Sequence, residues 1–254
     1  MIGGLVANAI DPSIMNELGG GRPVALVTGT NGKSTTTRML TAALRTRYTV
    51  VSNEGGDNMD AGIISALLAG EEATHVVLEC DELHVPHVAE RLDASCLVLL
   101  NLSRDQLDRV GEINKIERAL RACVNARPDM TVIANCDDVL MTSVAWDSPN
   151  VIWVSAGVGW LGDSISCPRT GGAVIRDGWD WYAVKKLPNG QEFRRPTPEW
   201  LITPEGVKHA GSVTPLELQL PGNANRGNAT QAIAAATSCF DIPVADAAKA
   251  AGTV

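Results

Sequence analysis

The chain of 254 residues is long enough for one large domain with a complete hydrophobic core, or for one domain with an insertion. Its 29 acidic and 21 basic side chains give a net charge of −8, and no run of Lys and Arg supplies the basic stripe that a nucleic-acid platform needs. No apolar stretch approaches the roughly 18 residues of a membrane span, and the first residues lack the basic start and long apolar centre of a signal peptide, so a cytoplasmic protein is expected.

The first 155 residues alternate between short β-branched runs and helical patterns. Strands are predicted at residues 24–28, 48–52, 74–79, 96–101, 131–135 and 151–155. Helices are predicted at residues 34–46, 59–68, 85–92 and 114–126. Strands that are almost continuously apolar and separated by helices indicate an α/β fold, with a mainly parallel sheet covered by helices on both faces. Ligands of such sheets bind at the carboxyl ends of the strands.

The composition changes after residue 156. All six tryptophans fall between residues 146 and 200, and Gly and Pro become frequent. An Asp-Gly step within 173–184 separates two short strand-like pieces, which predicts a hairpin. We therefore expect residues 160–218 to form a small antiparallel β insertion, after which helical character returns at 225–237.

The six cysteines give no sign of a disulfide framework or of a zinc ribbon. None belongs to a C-x-x-C pair, and four lie in or beside apolar runs. Because a free cysteine behaves as a small hydrophobic residue, we expect buried free thiols.

The stretch V-T-G-T-N-G-K-S-T-T-T begins at Val27, near the end of the first predicted strand. The usual phosphate-binding loop reads G-x-x-x-x-G-K-[ST], but Val27 stands in place of its first glycine, and Gly29 precedes Gly32 by only three residues. A strand, glycines and Lys-Ser at a helix start place free N–H groups and the positive end of a helix dipole around an anion. We interpret the loop as shortened, with Lys33 reaching the β- and γ-phosphates and Ser34 holding Mg²⁺. The alternative is a glycine turn that precedes a lysine by chance.

Polar or glycine-rich turns also follow the next four predicted strands. These turns are N-E-G-G-D-N at 53–58, E-C-D-E at 79–82, N-L-S-R-D-Q-L-D at 101–108 and N-C-D-D at 135–138. Glu79 closes the third strand, where its carboxylate could complete a Mg²⁺ shell, since Mg²⁺ prefers oxygen ligands. The alternative for Glu79 is a solvated acid at a helix start. Five consecutive strand ends with such turns are hard to obtain by chance.

The segment 79–87 contains three carboxylates and two histidines, His84 and His87, and could be interpreted as a zinc site. However, Pro86 interrupts the local pattern, and no third His or Cys is placed to complete a tetrahedron. We therefore favour an acidic helix start with histidines on the surface.

Taken in order, these motifs resemble the ATP-binding central domain of the Mur ligase family. They are T-G-T-N-G-K-S-T at 28–35, G-D-N-M-D-A-G at 56–62, Glu79, N-C-D-D at 135–138 and P-G-N-A-N-R-G-N-A-T-Q-A at 221–232. The resemblance spans residues 23–240 and implies a P-loop-containing fold of this type. Members of the family phosphorylate a carboxylate with ATP and let an amine attack the acyl phosphate, so an ATP-dependent carbon–nitrogen ligase is implied.

Within the family, the chain is most similar to the synthetase-like subunits that work with a GatD-like glutamine amidotransferase. The loop lies near residue 30, which leaves no space for an N-terminal UDP-sugar domain. Gln106 stands where typical ligases carry His, and Cys167 falls where many such subunits carry a four-cysteine zinc ribbon. The resemblance implies amidation of the D-glutamate α-carboxylate of the lipid II stem peptide, with lipid II as the substrate at the inner membrane face and no nucleic-acid partner.

The resemblance also implies roles for individual residues. The phosphates would be held by Gly29, Thr30, Asn31, Gly32, Lys33, Ser34 and Thr35. The residues in catalysis would be Lys33, which neutralises charge during phosphoryl transfer, Asn58, near the γ-phosphate and the substrate carboxylate, and Glu79. Magnesium would be bound by Ser34 and Glu79. The adenine would be bordered by Asn225 and Asn228, three apart on one helix face, unless these residues only cap the helix.

Three departures from the family pattern affect these expectations. Only Cys167 remains of the zinc ribbon, so no structural zinc is expected. No lysine occurs between Lys115 and Lys185 to serve as the carbamylated lysine of many members, and Arg121 stands about where it would fall. The chain ends at Val254, where a member would continue into a C-terminal ligase domain, so a central domain with little activity of its own is expected.

Two other hypotheses stay open. One is a Mur-like ligase that uses an amino acid instead of ammonia. The other is a nucleotide-binding scaffold without a catalytic function. Both share the nucleotide-binding loop with the first hypothesis.

Overall fold

A computed structural model describes residues 2–11, 13–53, 58–103, 110–157 and 166–254 of the chain. The strands within these residues are β1 (Val24–Thr28), β2 (Val50–Ser52), β3 (His75–Glu79), β4 (Cys96–Leu99), β5 (Thr131–Asn135), β6 (Val151–Ser155), β7 (Val174–Asp177), β8 (Asp180–Ala183), β9 (Trp200–Ile202), β10 (Gly206–His209) and β11 (Ser212–Pro215). The helices are α1 (Ile2–Ile10), α2 (Ile14–Gly19), α3 (Lys33–Leu44), α4 (Asp60–Ala69), α5 (Val85–Arg91), α6 (Val110–Ala126), α7 (Val139–Ala145), α8 (Asn223–Phe240) and α9 (Val244–Ala251).

Nine of the eleven described strands form one sheet with the order β11-β10-β9-β6-β5-β4-β1-β3-β2. The seven strands β9-β6-β5-β4-β1-β3-β2 pair in parallel with one another. Strand β10 pairs antiparallel with both β9 and β11. The predicted mainly parallel sheet is therefore confirmed. β1 pairs with β3 on one side and with β4 on the other. The strand order therefore reverses direction beside β1, with β2 and β3 on one side and β4 to β6 on the other. Open α/β sheets bind their ligands at such a switch point, and the segment that starts at Gly29 lies there.

Helices cover both faces of this sheet. All residues of β1 are buried, and successive side chains point to opposite faces. Val24 and Leu26 pack in a core with residues of α2, α4, α5, α6 and α7. Ala25 and Val27 pack on the other face with residues of α3, α8 and α9. A strand buried on both faces needs no polar alternation, which explains the continuous apolar runs of the sequence.

The range predicted as an antiparallel insertion, 160–218, is divided between two sheets. The predicted hairpin within 173–184 is confirmed as β7 and β8, which form a separate two-stranded sheet. Strands β9 to β11 fall in the same range, but β9 pairs with β6 and extends the main sheet. A pairing between strands so far apart in sequence has no local signal. The division into a domain and an insertion stays a prediction, since residues 158–165 lie outside the described residues.

A third apolar cluster fastens the β7–β8 hairpin to α7. Trp181 and Phe193 are fully buried in it, and the indole N–H of Trp181 donates to the carbonyl oxygen of Cys136 at 2.9 Å. A largely buried ion pair between Arg195 and Asp137, with 2.7 Å between nitrogen and oxygen, connects the same region to the end of β5. All six cysteines are free thiols and five are buried, as predicted.

The sequence analysis does not predict α1, α2, α7 and α9. These helices are short, with 9, 6, 7 and 8 residues, so each offers few positions for a helical pattern, although α5 is predicted and has only 7 residues. Helix α6 begins at Val110, before its predicted start at residue 114. Among the helices within the described ranges, none has both the length and the apolarity to cross a membrane.

The side chain of Asp138 connects α7 to the end of β4. One carboxylate oxygen accepts the N–H groups of Leu140 and Met141, both at 2.8 Å, and therefore caps the helix. The other oxygen accepts the N–H of Leu102 at 3.0 Å. Burial raises the pKa of Asp138 to about 6, against the opposing effect of the three backbone hydrogen bonds.

This raised pKa predicts how stability changes with pH. The unfolded carboxyl titrates near 3.8 and the folded one near 6, so between these values the folded chain binds more protons, and the contribution of Asp138 falls as the pH rises. In the Asp138→Asn variant the side chain cannot ionise. We expect the melting temperature of the variant to rise relative to that of the wild type as the pH is raised from about 3.8 to about 6. Asp129→Asn, at an exposed position, is the matched control. The raised pKa is contradicted if, for both variants, the difference in melting temperature from the wild type is independent of pH.

Candidate active site

Two glycines shape the loop between β1 and α3. Gly29 has φ +140° and Gly32 has φ +89°, and L-residues rarely adopt these backbone angles. Gly32 is the N-terminal cap residue of α3, which starts at Lys33. The first four N–H groups of an α-helix have no partner within the helix. The loop therefore presents backbone donors and the positive end of the helix dipole at the end of β1.

The segment after β4 holds this loop by a set of hydrogen bonds. The N–H of Thr30 donates to the carbonyl oxygen of Asn101 at 2.8 Å. The Asn101 side chain accepts the N–H of Asn31 at 3.0 Å and donates to the carbonyl oxygen of Asn31 at 2.9 Å. Ser103 adds two contacts, one with the Asn31 amide and one with the Thr30 hydroxyl. The loop conformation is thus fixed by residues about 70 positions away in sequence.

Helix α8 closes the loop from the other side. A Cβ atom added at Gly32 would lie 2.5 Å from the side-chain oxygen of Asn228, so the two residues are in close contact. A Cβ at Gly227 would lie 2.1 Å from the carbonyl oxygen of Ala156, which shows that the backbone of α8 itself closely approaches the end of β6. Asn225 instead donates its side-chain amide to the carbonyl oxygen of Pro221 at 2.8 Å. Of the two predicted adenine residues, the structure brings only Asn228 to the loop.

Lys33 is held within the loop that it belongs to. Its ammonium group donates to the carbonyl oxygen of Gly29 at 2.6 Å and lies 3.4 Å from a carboxylate oxygen of Glu82. The side chains of Lys33 and Glu82 are only 14% and 11% exposed. A positive charge is therefore placed beside the N-terminus of α3, with an acidic partner that the sequence analysis did not assign to it.

Glu79, the last residue of β3, is contacted by the loop after β1 and by the turn after β2. Its carboxylate accepts the hydroxyl of Ser34 at 2.7 Å and the side-chain amide of Asn58 at 3.3 Å. Asn53 pairs with the Glu79 backbone, donating to its carbonyl oxygen and accepting its N–H, both at 2.8 Å. Glu79 is only 4% exposed, so the alternative of a solvated acid is wrong.

The oxygens of Ser34 and Glu79 suit a magnesium ion. Ligand oxygens that share an octahedral Mg²⁺ at its usual bond length lie about 2.9 Å apart, and the Ser34 and Glu79 oxygens are 2.7 Å apart. The two described side-chain donors to Glu79 are uncharged, so a cation would compensate a largely buried carboxylate. The residues present therefore fit a Mg²⁺ ion beside bound phosphates.

The structure brings most of the predicted site residues together. The loop residues 29–35, Asn58, Glu79 and Asn228 lie in one connected set of contacts. The predicted roles of these residues stay predictions. The sequence analysis missed Asn53, Glu82 and Asn101 as individual contributors, although each lies in a strand-end turn that it had marked. The predicted motifs at Gly56 and at 104–109 fall outside the described residues.

The fold and the loop together define a nucleotide-binding α/β protein of the P-loop type. The family model described as the Mur ligase middle domain matches residues 27–165, more than half of the chain. The chain therefore belongs to the Mur ligase family.

Two curated relatives and two solved structures give the range of similarity. The chain is 33% identical over 142 residues to the lipid II isoglutaminyl synthase subunit MurT of Streptococcus pneumoniae, covering 54% of this chain and 32% of the relative. It is 36% identical over 121 residues to UDP-N-acetylmuramoylalanine–D-glutamate ligase of Anaeromyxobacter dehalogenans, covering 47% and 25%.

Both solved structures support the fold. A pseudomurein peptide ligase type C from Methanothermus fervidus matches with a TM-score of 0.72 and 21% identity over 92% of this chain and 50% of that one. The MurF ligase of Thermotoga maritima, described as a complex with ADP, matches with a TM-score of 0.52 and 16% identity over 94% and 52%. The matched part of the chain corresponds to about a third of the length of its MurT relative.

The contact between Gly32 and Asn228 can be tested by the variant Gly32→Ala. Gly211 also has a positive φ, +81°, but a Cβ there would meet nothing within 4 Å, so Gly211→Ala is the matched control. The left-handed backbone should cost each variant about 1–2 kcal/mol of folding stability. Only Gly32→Ala should also lose ATP affinity, by about tenfold or more, because the added methyl displaces the Asn228 side chain from the loop. Equal ATP affinities of the two variants in calorimetric titrations would contradict this view of the loop.

Proposed function

We propose that the protein is an ATP-dependent ligase that activates a carboxylate as an acyl phosphate during the synthesis of peptidoglycan precursors. The observation that carries the proposal is the placement of Lys33, Ser34 and Glu79 around the N-terminus of α3, at the switch point of the sheet. Membership of the Mur ligase family supports the reaction class, and the ADP complex of a similar structure supports an adenine nucleotide as the ligand.

Each residue has a role that follows from its charge and position. The loop from Gly29 to Thr35 binds the phosphates through the N–H groups at the start of α3 and the helix dipole, since the N–H groups of Thr30 and Asn31 donate to Asn101. Lys33 neutralises negative charge on the transferred phosphoryl group. Ser34 and Glu79 would hold Mg²⁺, which shields the phosphates from the incoming carboxylate. Asn58, which contacts Glu79, would orient the substrate carboxylate, and this contact supports the role.

The reaction we propose conserves its atoms in two steps. A carboxylate oxygen of the substrate attacks the γ-phosphorus of ATP, which gives an acyl phosphate and releases ADP. An amine then attacks the acyl carbon and expels inorganic phosphate, which forms an amide. For phosphoryl transfer of this kind, positioning and electrostatic stabilisation supply most of the rate enhancement, so the contacts of the loop matter directly.

The substrate we propose is the D-glutamate α-carboxylate of the lipid II stem peptide, with ammonia delivered by a GatD-like glutaminase. The similarity to the MurT subunit of Streptococcus pneumoniae supports this choice. A second candidate is a ligase that uses an amino acid as the amine, and the similarity to the D-glutamate ligase of Anaeromyxobacter dehalogenans favours it. A nucleotide-binding scaffold is the third possibility.

An amidation assay distinguishes these candidates. The full-length protein, with any residues that follow Val254, is purified and mixed with a GatD-type glutaminase, glutamine, ATP, Mg²⁺ and lipid II. The product is followed by mass spectrometry, with D-glutamate and a soluble UDP-linked precursor in parallel reactions. We expect an ATP-dependent change from carboxylate to amide on lipid II, abolished in Lys33→Ala, which should keep the wild-type circular dichroism spectrum. Product only with an amino acid would favour the second candidate. ATP binding with no product under any condition would overturn the proposal and favour a scaffold.

A further inference from the structure

Three side chains from two helices converge on the surface next to the nucleotide loop. Asp60 is the first residue of α4, His84 is the N-terminal cap residue of α5, and His87 lies three residues further on. One oxygen of Asp60 is 3.0 Å from Nδ1 of His84 and 2.7 Å from Nε2 of His87. The three side chains are 28–38% exposed, so ions in solution can reach them.

The arrangement of these atoms fits a transition-metal ion. With zinc bonds of the usual length, ligand atoms in a tetrahedral shell lie about 3.3 Å apart. Here the carboxylate–imidazole separations are 2.7 and 3.0 Å, and the three possible ligand atoms lie within 4.8 Å of one another. Each carboxylate–imidazole separation would therefore have to lengthen by only a few tenths of an ångström to suit a shared ion.

The chemistry of the three ligands selects the class of metal. Two imidazole nitrogens and one carboxylate suit zinc, cobalt, nickel or copper, whereas Mg²⁺ requires oxygen ligands in an octahedral shell. The site is therefore distinct in kind from the Ser34–Glu79 pair, which offers only oxygens. Within the parts of the chain that the structure describes, it is the one group of at least three His, Cys, Asp or Glu side chains with metal-binding spacing.

The ligands are carried by a well-supported backbone. The N–H groups of His84 and Val85 donate to the carbonyl oxygen of Asp81, at 2.9 and 3.1 Å, and fix the start of α5. The two acids between Glu79 and His84 are occupied elsewhere: the Asp81 side chain accepts the N–H of Leu83, and Glu82 pairs with Lys33. The acid that joins the histidines is instead Asp60, 24 residues before His84. The sequence analysis missed this third ligand for that reason.

We propose that Asp60, His84 and His87 bind a first-row transition-metal dication of the zinc type, with the remaining coordination positions taken by water. The ion connects the first turn of α4 to the first turn of α5. Asn58 lies two residues before α4, donates to Glu79, and accepts the N–H of Asp81, three residues before His84, at its carbonyl oxygen. Binding therefore stiffens the segment that leads Asn58 into the nucleotide site. The proposal does not depend on the reaction proposed above.

Metal binding to the 254-residue chain tests the site directly. Zn²⁺ is titrated calorimetrically, and Co²⁺ is titrated while its visible absorption is recorded, with Mg²⁺ as the comparison ion. We expect one equivalent of Zn²⁺ and a Co²⁺ spectrum typical of low coordination number, together with a rise in melting temperature on adding Zn²⁺. His84→Gln, His87→Gln and Asp60→Asn should each weaken Zn²⁺ binding by about tenfold or more.

The control variant is His209→Gln, which removes a partly exposed histidine on β10, away from α4 and α5. It should bind Zn²⁺ as the wild type does. Should a variant lose its circular dichroism spectrum, the other two single variants give the same comparison, since each removes one ligand. No Zn²⁺ binding by the wild type, or binding that survives the combined replacement of His84 and His87, would overturn the proposal and leave a hydrogen-bonded Asp–His pair.

Discussion

The carboxylate of Glu79 joins parts of the chain that are distant in sequence. It lies at the end of β3, almost fully buried, and accepts hydrogen bonds from Ser34 and Asn58, while Asn53 pairs with its backbone. A buried carboxylate is costly unless its charge is compensated, and both of these side-chain donors are neutral. The oxygens of Ser34 and Glu79 have the separation that two magnesium ligands need. A cation bound at this position would stabilise the fold and take part in the proposed chemistry, because it would balance the charge of the Glu79 carboxylate, where three strand-end segments meet.

The order of strands explains why these segments meet. Because β1 lies between β3 and β4, the loop after β1 is flanked by Glu79 on one side and by Asn101 on the other. Parallel strands bring all their carboxyl ends to one edge of the sheet, so residues separated by 45 to 70 positions become hydrogen-bonded neighbours. Helix α8 completes the enclosure through Asn228, whose side-chain amide lies where it would meet a Cβ atom at Gly32. The short loop is thus contacted on three sides, by Glu79, Asn101 and Asn228.

Local patterns were sufficient to predict the parallel sheet, the loop and five of the described helices, α3, α4, α5, α6 and α8, because a buried parallel strand and an amphipathic helix each have a signature a few residues long. The same reasoning could not place β9 beside β6, since that pairing depends on residues far apart along the chain. It assigned Glu79 to the site from its position at a strand end, but it could not find that Asn53 supports it or that Glu82 pairs with Lys33. His84 and His87 were set aside for lack of a third ligand, and only the fold brings Asp60 to them.

The dependence of ATP affinity on magnesium tests the role of Glu79 most directly. Calorimetric titrations with and without Mg²⁺ would compare the wild type with Glu79→Gln, which keeps the shape of the side chain but removes its charge, and with Glu72→Gln on the exposed surface as the control. The account predicts that Mg²⁺ tightens ATP binding to the wild type and to Glu72→Gln by about tenfold or more, and has almost no effect on Glu79→Gln. The same Mg²⁺ dependence in all three proteins would contradict it.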